Sequence, residues 1–176
     1  LICGPMFAGK STRLIEALDM ARAPGRSVVA IKPRRDDRYG IDEIVTHTGR
    51  RMAAVSVSNA REIPDAASGA DVVGIDELHF FDAAIAGVIG DLSQCGATVI
   101  AAGVDLDHRG DPFPSVFAVE RIADRVTRLT SRCSRCGKDA RFTQRLIDSN
   151  EPIVVGGVGD YEPRCADCFE RPSEGR

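Results

Sequence analysis

Leu1-Ile2-Cys3-Gly4-Pro5-Met6-Phe7-Ala8-Gly9-Lys10-Ser11-Thr12 decides how the rest of this sequence is read. Gly4, Gly9, Lys10 and Ser11 complete the pattern G-x-x-x-x-G-K-[ST]. A chain of phosphates needs several backbone N–H groups converging on it, and glycines let a loop fold tightly enough to supply them. The helix that follows adds the positive end of its dipole. In this pattern Lys10 reaches the β- and γ-phosphate oxygens of a nucleotide, and the Ser11 hydroxyl ligates Mg²⁺. The alternative is an ordinary glycine turn before a helix. The flanks speak against it: an apolar stub, Leu1 to Cys3, precedes the glycines, and an amphipathic run with Leu14, Ile15 and Leu18 follows. Strand, loop, helix is the order a phosphate-binding loop requires.

Working outward, Ser11 to about Arg22 reads as that helix, stopped by Pro24-Gly25. Ser27 to Ile31 is a β-branched run of the kind buried in parallel sheets. From Arg34 to Gly49 charges and glycines mix without periodicity. A mobile loop is therefore expected at the strand's C-terminal end, the edge where parallel sheets bind ligands. Met52 to Val57 reads as one short strand, and Asn59 to Ser68 as a short capped helix. Asp71-Val72-Val73-Gly74-Ile75-Asp76-Glu77 is an apolar strand ending in two carboxylates. Beside a phosphate loop, Asp76 would hold Mg²⁺ opposite Ser11, and Glu77 would act on the nucleophile. Phe80 to Cys95 has apolar positions near a 3.6-residue period, with Gly96 behind it, and reads as a helix. Ala97 to Gly103 is another buried strand, followed by a Gly/Pro loop from Val104 to Pro114. A helix near Ser115–Ile122 and a last strand at Arg125–Leu129 complete this part. The alternation implies an α/β, P-loop NTPase-like fold over residues 1–129: a mainly parallel sheet with helices on both faces.

Composition changes after Thr130. Cys133-Ser134-Arg135-Cys136 and Cys165-Ala166-Asp167-Cys168 are two C-x-x-C knuckles separated by 28 residues. Two knuckles supply the four thiolates of a tetrahedral Zn²⁺ site, and four protein ligands leave no open position, which makes such a site structural. An Fe–S cluster, a pair of redox dithiols and plain buried thiols are the alternatives. Cys3 and Cys95 stand alone in apolar elements and read as core thiols. Between the knuckles, Arg141 to Leu146 reads as a strand and Ile153 to Gly157 as its partner, before a Gly-rich turn and Asp160-Tyr161-Glu162-Pro163. The expectation for residues 130–170 is a small zinc-stapled β-ribbon that folds over the main domain as a lid. Residues 171–176 are polar and expected to be disordered.

The bulk numbers narrow the partners. A net charge of −3 over 176 residues, without a basic stripe, disfavours nucleic acid and anionic membrane surfaces. No apolar run approaches the ~20 residues of a membrane span. The sequence opens without Met and inside a strand, so a short N-terminal tail is expected ahead of it.

Together these motifs resemble the thymidine kinases of the type found in vertebrate cytosol and in many bacteria and poxviruses. The markers run through nearly the whole chain: GPMFAGKST at Gly4–Thr12, DDRYG at Asp36–Gly40, IDELHFF at Ile75–Phe81, GVDLDHRGDPF from Gly103, the CSRC and CADC knuckles, FTQRL, and VVGGVGDYEPRC. The resemblance implies ATP on the Gly4–Thr12 loop with Mg²⁺ at Ser11 and Asp76. It implies Glu77 as general base on the 5′-hydroxyl of thymidine or deoxyuridine, with Lys10, Arg38 and Asp36 at the phosphoryl region. Met6, Phe80, Val104 and Phe113 would enclose the base. The zinc-stapled segment would be the lid, called a lasso in this family, with the Val154-Val155-Gly156-Gly157 backbone, Thr143 and Tyr161 toward the base. It further implies a cytoplasmic homotetramer serving pyrimidine salvage, giving dTMP and inhibited by dTTP.

The chain departs from the family's usual pattern in three places. His108 stands where Phe is more common, Pro114 where Gly is usual, and Leu78-His79 replaces a small residue followed by Gln. These bear on pocket shape more than on the reaction. The rival readings are a P-loop ATPase with a zinc ribbon acting on another substrate, another deoxynucleoside kinase, and a redox or metal-binding module built on the cysteines.

Overall fold

The β-branched runs form the middle of one sheet. A computed structural model of the chain describes residues 1–22, 25–36, 40, 42–149, 151 and 153–172. Among these, β1 (Ile2–Cys3), β2 (Val28–Pro33), β5 (Val55–Val57), β6 (Val72–Ile75), β7 (Thr98–Gly103) and β8 (Thr127–Arg128) pair in the order β5-β2-β6-β7-β1-β8. Every pairing is parallel, with Val73 opposite both Val29 and Val99, and Ile2 opposite both Ala102 and Thr127.

Successive side chains on a strand face opposite sides, and burial follows that rule. Ala30, Val72 and Ala102 join one core with Leu14, Ile15 and Leu18 of α1 (Lys10–Ala21). Ile31, Val73, Ile75 and Ala101 join the other. There they meet Ile63 of α2 (Ile63–Ala66), Ile85 and Ile89 of α3 (Ile85–Gln94), and Val116 and Val119 of α4 (Pro114–Glu120). Each such aliphatic side chain stabilises the fold by ~1.5–3 kcal/mol on full burial. Gly74 sets how closely α1 lies on the sheet: a Cβ there would sit 2.3 Å from Leu18 Cδ1. This is the α/β layer arrangement expected, with helices on both faces.

Local structure differs from expectation in four places. The polar stretch after β2 contains a hairpin, β3 (Glu43–Val45) with β4 (Arg51–Ala53). Ile44 and Met52 face each other across it, both buried in the α1-side core. One apolar residue per strand is too little periodicity to read. The expected strand at Met52–Val57 is therefore two. Ala54 separates them, with its N–H on the Asp42 carbonyl at 2.9 Å, and β5 then turns into the main sheet.

The helix expected from Phe80 begins only at Ile85, behind a 3-10 turn at Leu78–Phe80. Asp82 Oδ1 accepts the Ala84 N–H at 2.9 Å across the break. Phe81 is nonetheless buried. Beyond residue 130, β9 (Ser131–Arg132) pairs with β10 (Asp139–Ala140) around the first knuckle. β11 (Phe142–Arg145) pairs not with Ile153–Gly157 but with β12 (Tyr161–Arg164), Arg145 opposite Tyr161. Gly156 and Gly157 make the earlier stretch a poor strand. The β11–β12 register also ends one residue before Cys165, which brings the second knuckle to the first. Of the tail, 173–176 lie outside the described residues, and Arg171 pairs with Asp111. No helix among the described residues is long and apolar enough to cross a membrane.

Candidate functional site

The C-terminal ends of β1, β2, β6 and β7 open onto one cleft, where an open parallel sheet binds its ligands. The loop after β1 starts with Gly4 at φ +144°. A Cβ there would lie 2.4 Å from the Leu129 carbonyl oxygen, so the position excludes any other residue. Phe7 at φ +62° and Gly9 at φ +80° complete the curl into α1. Lys10 Nζ donates to the Pro5 carbonyl at 2.7 Å, which folds the cation back over its own loop. Ser11 and Thr12 follow in the first helical turn, and both line the cleft with Met6, Phe7, Gly9 and Lys10. Gly4, Pro5 and Ala8 shape the loop from behind.

Asp76 continues β6 by one residue, its N–H on the Ile31 carbonyl at 2.9 Å, and this aims its side chain at α1. The carboxylate is buried and hydrogen-bonded to Ser11. Burial, and then the charge of Glu77, push its carboxyl up to about 7. The bond to Ser11 and the Lys10 charge oppose that rise. Glu77 adopts φ +50°, ψ +41°, a left-handed conformation that a non-glycine residue holds only when its surroundings enforce it. It too lines the cleft, between the phosphate loop and an aromatic wall.

Of the expected base-enclosing residues, Met6, Phe80, Val104 and Phe113 all line the cleft from the main domain. From the segment after residue 130, Thr143, Val154, Gly156 and Tyr161 line it, whereas Val155 and Gly157 do not. The Gly157 N–H donates to Asp160 Oδ2 at 3.0 Å, and its carbonyl accepts from Asp160 and Tyr161, so the turn uses its polar groups internally. The Tyr161 hydroxyl donates to the Val154 carbonyl at 2.9 Å. Two bonds tie this segment to the phosphate loop: the Met6 N–H donates to Thr143 Oγ1 at 3.0 Å, and Ser131 Oγ donates to the Phe7 carbonyl at 3.2 Å. Arg35 adds a third tie, donating to the Ile153 carbonyl at 3.1 Å. Arg38 lies outside the described residues.

Several cleft residues were not singled out from the sequence. Lys32 is 2% exposed at the end of β2. Its Nζ donates to the Gly40 and Glu43 carbonyls and lies 3.4 Å from Asp36 Oδ2, so it anchors the following loop. A lysine closing an apolar strand at the ligand edge was the available signal. The hairpin contributes Ile44 to His47. Arg145 lines the opposite side and holds the Ser149 and Glu151 carbonyls at 3.2 and 2.7 Å. His79 and His108, noted as departures, both line the cleft. Burial, and then the Arg145 charge, hold the His108 imidazole below its ordinary range. Its Nδ1 is buried without a protein partner among the described residues.

The four knuckle sulfurs gather in one cluster, all within 4.8 Å of one another, with Cys136 Sγ and Cys165 Sγ 3.5 Å apart. Sulfurs ~2.3 Å from a central tetrahedral ion are about 3.8 Å apart, so the cluster could hold Zn²⁺. Burial pushes the Cys133 thiol upward, but the backbone N–H groups of Cys165, Cys136 and Arg135 outweigh it and bring it down to about 6, while hydrogen bonds with Cys165 and then Cys136 push Cys168 up to about 12, so the clustered thiols divide their protons unequally. Cys3 is buried in the sheet as expected, whereas Cys95 is exposed at the end of α3.

Comparison with known proteins agrees with this geometry. The thymidine kinase family model matches residues 1–169. A curated relative, the thymidine kinase of Rhodothermus sp. (strain ITI 518), is 39% identical over 172 residues, covering 98% of this chain and 81% of the relative. With a phosphate loop, a paired carboxylate strand end and a four-cysteine cluster in one molecule, the chain belongs to the thymidine kinase family, whose reaction is phosphorylation of thymidine to dTMP.

Proposed function

We propose that the chain transfers the γ-phosphoryl group of ATP to the 5′-hydroxyl of thymidine, and of deoxyuridine, with Glu77 as general base. One observation carries this reading: Lys10, Ser11, Asp76 and Glu77 line the same cleft as the apolar wall of Met6, Phe80 and Phe113 and the lid residue Tyr161. Donor phosphates and a flat acceptor thus have adjoining places, which a bare ATPase does not need. As the 5′-oxygen attacks, the O–Pγ bond forms and its proton passes to the Glu77 carboxylate. The bond from Pγ to the β-phosphate oxygen breaks, and ADP leaves. Phosphoryl transfer depends mainly on positioning and charge neutralisation. Lys10, released from the Pro5 carbonyl onto the phosphates, supplies both, and Arg38 and Asp36 lie in the segment that would complete the phosphoryl region.

A buried carboxylate hydrogen-bonded to the hydroxyl of a phosphate-loop serine suits Mg²⁺. Ser11 and Asp76 would hold it, and when bound it neutralises charge on the transferring phosphates. Zn²⁺ held by Cys133, Cys136, Cys165 and Cys168 would be structural, keeping Thr143, Val154, Gly156 and Tyr161 over the acceptor. By family resemblance the enzyme is a cytoplasmic homotetramer inhibited by dTTP.

The deciding experiment is an ATP-coupled assay with thymidine, deoxyuridine, deoxycytidine and deoxyadenosine, repeated with Glu77→Gln. ADP formation should require a pyrimidine deoxynucleoside, thymidine first. Glu77→Gln should keep ADP binding and lose about 10²- to 10⁴-fold in kcat. ADP formation without a nucleoside would favour the ATPase reading instead.

A further inference from the structure

We propose that His79 is a positioning residue that orients the Glu77 carboxylate and couples it to the wall against which the acceptor base packs. The inference rests on Glu77 being the general base. His79 is 9% exposed and makes directed contacts on every side. Its Nδ1 accepts the Val104 N–H at 3.3 Å. An imidazole nitrogen that accepts carries no proton, so the ring is the neutral tautomer with its hydrogen on Nε2. That Nε2 faces Glu77 Oε2 at 3.5 Å. Catalytic hydrogen bonds are commonly this long before substrate arrives and shorten in the reactive complex. The ring itself lies against Phe80 at 4.4 Å and Phe113 at 5.0 Å between centroids. One side chain therefore touches both aromatic walls, the Val104 backbone at the end of β7, and the base.

The backbone makes this contact necessary. Glu77 leaves β6 in a left-handed conformation, so its direction is not set by continuing the strand. A carboxylate on a two-carbon stem has rotamers to lose before it can meet a 5′-hydroxyl. An N–H donor anchored from β7 removes that freedom. The carboxylate so held takes the proton released as the 5′-oxygen bonds to Pγ and the bond to ADP breaks. Because the same ring packs on Phe80 and Phe113, an acceptor base that shifts those walls shifts the carboxylate with them.

The test separates the ring from its nitrogens. His79→Phe keeps an aromatic body between Phe80 and Phe113 without either nitrogen. His79→Gln keeps one acceptor and one donor without the ring. His79→Met matches Gln in length and has neither hydrogen-bonding group. With ATP saturating, His79→Phe should lower kcat by about 10- to 100-fold, the range for losing a hydrogen bond to a charged group, while thymidine KM changes by less than about threefold. His79→Gln should recover most of that kcat and raise thymidine KM, because the ring contact is gone. Should His79→Phe not fold, with the Val104 N–H left buried, the Gln and Met pair decides in the same way. In a Glu77→Gln background the His79 substitutions should have no further effect on kcat. The proposal is overturned if His79→Phe keeps kcat within about twofold, or if Gln is as impaired in kcat as Met. Turnover surviving in Glu77→Gln itself would instead reject the general base, a separate result.

Discussion

Thr143→Val tests how the four-cysteine segment reaches the phosphate loop. Thr143 is 4% exposed, and its Oγ1 accepts the Met6 N–H at 3.0 Å, across 137 residues of sequence. Valine has nearly the same shape, so packing is kept while the acceptor becomes a methyl group. A neutral hydrogen bond contributes about 0.5–1.5 kcal/mol, and leaving a buried donor unsatisfied costs about 1–3 kcal/mol. The Met6 N–H is only partly buried, so the middle of the combined range, about 1.5 kcal/mol, is expected, or roughly tenfold in the equilibrium for opening this contact. Amide hydrogen exchange of Met6 in the ligand-free protein reads this without relying on turnover, and exchange should speed up by about tenfold. On the proposed reading, in which this segment covers the acceptor, thymidine KM should rise by a similar factor, while ADP affinity should change by less than about twofold. Thr143→Ser, which retains the hydroxyl, should behave nearly as the parent. If Met6 exchange is unchanged in the valine variant, the bond does not hold the lid. If ADP affinity falls as much as thymidine affinity, the damage lies in the phosphate loop, and the two-substrate division of the cleft is wrong.

Two further predictions address the metal and pH. The purified protein should carry about one zinc per chain, and its four knuckle thiols should resist alkylation until a chelator is added. Cys165→Ser should lose the metal and raise thymidine KM with ADP binding retained; an unchanged KM would detach the cysteines from the acceptor site. His108 has a folded-state pKa below its ordinary value, chiefly through burial and then the Arg145 charge. The unfolded chain therefore takes up that proton first as pH falls through about 6.5, and stability present above that value is lost down to the folded pKa. His108→Phe should remove this component, so the parent's urea midpoint should fall relative to the variant's between pH 7.5 and 5.5. Parallel pH profiles would mean that His108 does not titrate differently on folding.

The central sheet was legible because each strand signal was redundant. Val72, Val73 and Ile75 are buried on alternate faces, and a run without polar interruption has one good solution in an α/β chain. The phosphate loop was legible for a different reason: Gly4 and Gly9 are required by backbone geometry, and such requirements survive in a single sequence. What escaped was pairing set by long-range context. The β3–β4 hairpin exposes one buried residue per strand, Ile44 and Met52, and carries no local pattern strong enough to separate it from a loop. The choice of β12 over Ile153–Gly157 as the partner of β11 follows from closing the cysteine cluster. That constraint acts in space and is invisible to propensity. Lys32 was passed over for a similar reason. A buried lysine is tolerated only because two carbonyls and Asp36 from the next loop meet it, and none of those contacts is written in its neighbours.

The same distinction separates the residue types of the candidate site from the contacts that hold them. Types and spacing identify Lys10, Ser11, Asp76 and Glu77, since phosphate and metal chemistry admits few substitutes. They do not reveal that Met6 has two attachments, its side chain lining the cleft and its N–H held by Thr143 from the lid. Nor do they reveal that Ser131, two residues before the first cysteine, holds the Phe7 carbonyl of the same loop. Phe7 sits at φ +62°, a conformation costing of order 1 kcal/mol or more for a non-glycine residue. The lid's two bonds flank that residue's amide segment and help to offset the strain. The cysteine cluster can thus bear on the phosphate loop without approaching a phosphate. Loss of the cysteine cluster would release Thr143 and Ser131 together, so its effect should exceed that of Thr143→Val alone. It should appear first on the acceptor side, because Lys10, Ser11 and Asp76 keep their own contacts within the main domain.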